Sequence, residues 1–122
     1  MTTNRADSLA TEADRAALVE VATEYARDDD QIRASAAWSN AQRIGARSDH
    51  FWQLGARLAE ALHRRDQGRL SMKILEKCVA GRPGILGYHT ALAEAYFTQG
   101  EFRQAATEAK RGTHTLSATE HR

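Results

Sequence analysis

One cysteine in 122 residues rules out an internal disulfide, and Cys78 by itself cannot hold a metal. The chain has a single proline and eight glycines, so few positions force the backbone to break. No apolar run approaches 18 residues and the mean hydropathy is −0.59, which excludes a transmembrane helix. Neither sign of charge dominates: 17 Lys and Arg against 16 Asp and Glu leave +1, too little field to attract a nucleic acid or a membrane. Gly-x-Gly-x2-Gly, a phosphate loop, a Ser-centred elbow and His-x3-His are all missing from the sequence. The opening Met1-Thr-Thr-Asn-Arg5-Ala-Asp7 has no apolar stretch, so no signal peptide and a cytoplasmic location are expected. These absences point away from an enzyme and from any cofactor.

What is present favours helix. Ala occurs 23 times, and with Arg, Glu, Gln and Leu it loses little side-chain entropy in a helix, while β-branched runs are scarce. Hydrophobic residues make up 42% and charged residues 27%, the balance of a folded domain, and the length allows one domain over 1–122. Arg outnumbers Lys 14 to 3, consistent with a GC-rich, bacterial coding source.

Apolar periodicity divides the chain into about six helices in three hairpins, near 8–47, 48–82 and 84–116, with a frayed tail at 117–122. Leu18, Val21, Ala22 and Tyr25 form the first stripe, capped by Asp7 or Ser8 and stopped by Asp28-Asp29-Asp30. The second stripe is Ala34, Ala37, Trp38, Ala41 and Ile44. Ser48 or Asp49 caps the third helix, which carries Phe51, Leu54, Leu58 and Leu62 beside Trp52, Gly55, Ala56 and Ala59 and ends at Gly68. Ser71, Ile74, Leu75, Cys78 and Val79 mark the fourth, closed by Gly81-Arg82-Pro83-Gly84. Ile85, His89, Leu92, Ala93 and Tyr96 mark the fifth, ending at Gly100, and the sixth runs from Phe102 to about Leu116. Short connections make consecutive helices antiparallel.

The three hairpins repeat one another. The first reads Leu18-x2-Val21-Ala22-x2-Tyr25 then Ala34-x3-Trp38-x2-Ala41. The second reads Phe51-x2-Leu54-Gly55-x2-Leu58 then Ser71-x3-Leu75-x2-Cys78, with Pro83 closing it. The third reads His89-x2-Leu92-Ala93-x2-Tyr96, then Gly100-x-Phe102-x2-Ala105. This pattern resembles the tetratricopeptide repeat, whose period is about 34 residues. His89 and Ala109 depart from its aromatic positions, and Ala46 and Ser117 from its prolines. The second repeat carries four extra residues, about one helical turn, between Leu58 and Ser71, in a longer third helix or a longer turn. The resemblance, over about 15–117, implies an all-α right-handed solenoid of stacked hairpins; a generic antiparallel bundle is the competing architecture.

Candidate chemistry is sparse. His50, His63, His89, His114 and His121 read as surface or packing residues, since Glu60-x2-His63 is a single copy of a motif that di-iron bundles need twice. Cys78 lies on an apolar stripe, as a small core residue does. Arg64, Arg65, Arg69, Lys73, Lys77 and Arg82 form a basic cluster opposite in sign to the acidic first 31 residues. It is either a solvated face or a steering surface for an acidic partner. A DNA-reading helix is disfavoured because 85–97 has no Arg or Lys to reach base edges.

The resemblance further implies a groove lined by the first helix of each hairpin. Its residues are Val19, Glu20, Thr23 and Arg27, then Trp52, Gln53, Ala56 and Glu60, then Thr90, Ala91, Glu94 and Phe97, with Trp52 and Phe97 as apolar anchors. Relatives that clamp a carboxylate tail place Lys, Arg and Asn at positions occupied here by Val19, Trp52, Thr90, Thr23, Ala56 and Glu94. A helix or apolar peptide with basic residues suits this groove better. With no capping helix after the sixth, the region of Phe102, Ala105, Ala106 and Ala109 is expected to self-associate or to receive a partner. The expected function is a non-enzymatic adaptor or chaperone that binds another protein, with a self-associating regulatory module as the alternative.

Overall fold

The computed structural model describes residues 10–120. Among the described residues six helices follow in order: α1 (Glu12–Arg27), α2 (Gln31–Arg43), α3 (Asp49–Arg64), α4 (Gly68–Gly81), α5 (Leu86–Thr98) and α6 (Phe102–Glu120). They are paired as hairpins α1/α2, α3/α4 and α5/α6. The chain divides into two compact units, Met1–Leu58 and Ala59–Arg122, with the boundary inside α3.

In the first unit, Thr11 caps α1 by a reciprocal capping box: its hydroxyl accepts from the Asp14 N–H at 3.1 Å while the Asp14 carboxylate accepts from the Thr11 N–H at 3.0 Å. The caps expected from the sequence, Asp7 or Ser8, lie outside the described residues. Asp30 caps α2 by accepting from the Arg33 N–H, and Ser48 caps α3 by accepting from the Phe51 N–H. The centre of this unit is aromatic. Trp38 of α2 stacks on Phe51 with centroids 4.5 Å apart and planes 1° from parallel, and Trp52 meets both rings edge-on. The Trp38 indole N–H donates to the Phe51 carbonyl at 2.8 Å, which satisfies the buried dipole. Gly55 makes this possible, because a Cβ there would lie 2.5 Å from the Trp38 ring. Ala22, Ala34 and Ala41 are fully buried where α1 and α2 pack together.

In the second unit, the Ser71 hydroxyl of α4 donates to the Ala59 carbonyl of α3 at 2.6 Å, tying the hairpin at a small residue. Leu62, Ile74, Leu75, Cys78, Leu92 and Tyr96 are buried, and the Tyr96 hydroxyl donates to Glu76 at 2.8 Å. Gly112 lets α6 approach α5: a Cβ there would meet Leu86 at 3.0 Å and His89 at 3.2 Å.

The hairpin turns are copies of one another. The N–H groups of Asp30, Gln67 and Glu101 donate to the carbonyls of Tyr25, Leu62 and Tyr96 at 2.8, 2.9 and 2.9 Å, closing each first helix. Each turn has one left-handed residue: Asp29 at φ 66°, Asp66 at φ 61° and Gly100 at φ 78°. The next helix then starts with the N–H of Ala34, Ser71 or Ala105 bonded to the carbonyl four residues back. The turn of the second repeat is therefore not lengthened: Leu62 stands at the place of Tyr25 and Tyr96, the four extra residues lie ahead of it, and α3 has 16 residues, as α1 does.

Several sequence expectations shift. Gly68 starts α4 and does not terminate α3; its missing Cβ accommodates the Gln99 side chain. Gly81 is the last residue of α4, and Arg82 at φ −137° is the cap, so no left-handed glycine ends that helix. Helix α6 continues to Glu120, so the backbone of 117–120 is helical, and residues 121 and 122 lie outside the described residues. Ala106 and Ala109 are exposed, and it is Glu108 that faces inward beside Ala105 and Gly112.

Candidate functional site

The residues implied as groove-lining fall in both units and differ in accessibility. On α1, Glu20 and Arg27 are exposed, Thr23 is half-buried with its hydroxyl on the Val19 carbonyl, and Val19 is 7% exposed. In the first part of α3, Gln53 is exposed and Ala56 half-buried, while Trp52 is 4% exposed. Trp52 packs against Trp38 and Phe51, so its ring belongs to the aromatic centre and presents no apolar anchor. In the second unit, Glu60 pairs with Arg64 at 2.8 Å, Ala91 is half-buried, and Thr90, Glu94 and Phe97 are exposed. The spacing i, i+4, i+7 puts these last three on one stripe of α5.

Phe97 is 62% exposed, and its ring meets the 61% exposed Phe102 edge-on, with centroids 5.2 Å apart. This pair straddles the Gly100 turn, with Glu94 and Glu101 nearby in sequence. Two large apolar rings are thus left in water in contact with each other at the tip of the third hairpin.

The basic cluster is mixed in character. Arg64 is neutralised by Glu60; Arg69 and Lys73 project into solvent from α4, one turn apart; Lys77 and Arg82 are half-buried. Arg82 reaches the Gly81 carbonyl at 3.2 Å.

Sequence reasoning missed a buried polar network. The ring of His89, 4% exposed, has Nε2 2.6 Å from the Pro83 carbonyl and Nδ1 2.7 Å from Oε2 of Glu108, itself 3% exposed. A carbonyl carries no proton, so Nε2 is the donor there, and the Nδ1–Oε2 contact is a hydrogen bond when a proton lies between the two atoms. Arg111 donates to the other Glu108 oxygen at 2.8 Å. The network ties the α4–α5 turn to α5 and α6. Its signal in the sequence was the spacing of Ala105, Glu108 and Gly112, which puts a carboxylate on the face that carries small residues. A cleft of about 680 Å³ beside Arg15, Val19, Glu20, Ala46 and His50 in the first unit also went unforeseen.

Reactive groups are quiet. Cys78 is fully buried, and burial pushes its thiol up to about 12, which removes thiolate character at neutral pH. His50, His63 and His114 are exposed and apart from the buried network, and His121 lies outside the described residues. Among the described residues, no three His, Cys, Asp or Glu side chains are placed to hold a metal ion, and no helix is long and apolar enough to cross a membrane.

Six helices in paired hairpins with one turn geometry repeated three times constitute a tetratricopeptide-like fold. Solved structures agree. The crystal structure of MamA superposes with a TM-score of 0.68 at 14% identity, covering 88% of this chain and 61% of that chain. A MamA arginine-to-glutamate mutant gives 0.63 at 15% identity, over 92% of this chain and 79% of that one. The second TPR of Spaghetti (RPAP3), bound to HSP90 peptide SRMEEVD, gives 0.61 at 9% identity, over 94% and 99%. This chain thus spans 61% of the MamA crystal structure's length, and at these identities the likeness is one of fold. No family model and no curated protein sequence matches the chain.

Proposed function

We propose that this chain is a non-enzymatic protein–protein interaction module, an adaptor or chaperone that binds a helix or peptide segment of a partner protein. The observation that carries the reading is the exposed Phe97–Phe102 pair beside the Thr90–Glu94–Phe97 stripe of α5. An aromatic anchor next to carboxylates suits a segment with apolar and basic side chains. The peptide-bound state of the Spaghetti TPR supports peptide binding as a use of this fold. A carboxylate clamp is not proposed, because Val19, Trp52, Thr90, Thr23, Ala56 and Glu94 supply no cation. The module acts as one domain in a bacterial cytoplasm on this reading. Affinity capture from native lysate tests it: a stoichiometric partner is expected with the wild type and at least tenfold less of it with Phe97→Glu, a loss of about 1.4 kcal/mol or more. Equal recovery by both forms overturns the reading.

A second reading, self-association through the third hairpin, is favoured by the exposure of Phe102, Ala106 and Ala109 on α6.

A further inference from the structure

Helix α1 presents two parallel stripes to solvent. Ala17, Val21 and Tyr25, spaced i, i+4, i+8, form an apolar one, and Glu20, Glu24 and Asp28 form an acidic one beside it. Together they line an open depression of about 380 Å³. Val21 is 43% exposed. Arg27 pairs with Glu24, and Arg15 is turned to the Ala10 carbonyl, so Glu20 and Asp28 keep this face negative.

Helix α6 has the same design with the opposite sign. Phe102, Ala106 and Ala109 form an exposed stripe, flanked on one side by Arg103 and Lys110. The one carboxylate among residues 102–115, Glu108, is buried on the opposite side against His89, so the exposed charge of this stretch is positive.

We infer that copies of this chain associate head to tail, the acidic and apolar outer face of α1 in one copy seating on the basic and apolar outer face of α6 in the next. The inference rests on the second reading above and adds to it the surface that α6 receives. Two α6 faces repel each other through Arg103 and Lys110, and two α1 faces repel through Glu20 and Asp28, so the charge pattern selects the unlike pairing. An unlike pairing uses a different face on each copy, so it builds a closed ring where the rotation between copies closes and an open chain where it does not.

Sedimentation velocity with light scattering over a concentration series is the test. The wild type is expected to exceed 13.5 kDa increasingly as concentration rises. Raising salt from about 0.05 M to about 0.5 M should weaken association by on the order of tenfold. Val21→Lys sets a cation against Arg103 and Lys110, and Ala106→Glu sets a carboxylate against Glu20 and Asp28. Each variant alone should stay at 13.5 kDa, and an equimolar mixture should re-associate with both present in equal amounts. Circular dichroism verifies folding, and Glu20→Lys with Lys110→Glu is the substitute pair should either variant fail to fold. A monomeric wild type at low salt overturns both the inference and the self-association reading. Loss of association with Ala106→Glu but not with Val21→Lys overturns the pairing with α1 while leaving the third hairpin as a self-association surface.

Discussion

His89 shows how a single residue changes meaning once its neighbours are known. In the repeat pattern it stands at an aromatic position, and its ring does fill buried space. Its two nitrogens are engaged by the Pro83 carbonyl and by Glu108, so it also closes a network whose other members lie on different elements. Removing one member of a buried ionisable pair leaves the other uncompensated. Glu108→Ala is therefore expected to cost about 3 kcal/mol or more of stability in urea unfolding. Glu108→Gln, which can still hydrogen-bond to the ring, should cost clearly less. A loss below about 1 kcal/mol for the alanine variant would remove the network from the causes of stability. Trp52 is the opposite case: adjacent to Phe51, it was readable as an anchor or as packing, and the Trp38 ring between α2 and α3 makes it packing.

Among the elements, the hairpin turns carry the repeat more faithfully than the side chains do. Only the third turn uses glycine at its left-handed position; the first two use Asp29 and Asp66. A left-handed backbone crowds a Cβ against the following carbonyl, at roughly 1–2 kcal/mol for residues other than Gly, with Asp and Asn penalised less. Asp66→Gly should therefore stabilise by up to about 1 kcal/mol, and Gly100→Ala should destabilise by about the same amount, both read from urea midpoints. Equal midpoints would show that these turns are held by their contacts and not by backbone preference. Six helices, their pairing and the three turn locations were legible in the sequence because apolar periodicity and acidic or glycine stops are local signals. Whether the additional turn of the second repeat belonged to helix or loop was not legible, since 58–71 is compatible with both.

Over the whole molecule, stability should fall at high pH. Burial pushes Cys78 from 9.0 to about 12, and burial, followed by the Glu76 hydrogen bond, pushes Tyr96 from 10.0 to about 12. The unfolded chain releases these protons first, so their contribution is complete below pH 9 and is lost as pH rises from 9 through about 12. Thermal unfolding followed from pH 8 to about 12 should show this decline, and the Cys78→Ala, Tyr96→Phe double variant should flatten it even though it starts from lower stability. An undiminished slope in the double variant would assign the decline to other groups. Charge distribution is the other whole-molecule property: a net charge of +1 conceals an acidic α1 face and a basic α6 face that sequence sums alone do not localise.

The pattern of apolar and small residues was enough to specify an all-α chain of three repeated hairpins, because helix periodicity and close helix approach are properties of short segments. Which aromatic rings are buried, which alanines of α6 face water, and where Glu108 meets His89 depended on the rotation of each helix about its axis. That rotation is set by contacts between residues far apart in the chain, such as Trp38 with Gly55 and His89 with Gly112, and one sequence read segment by segment does not contain it.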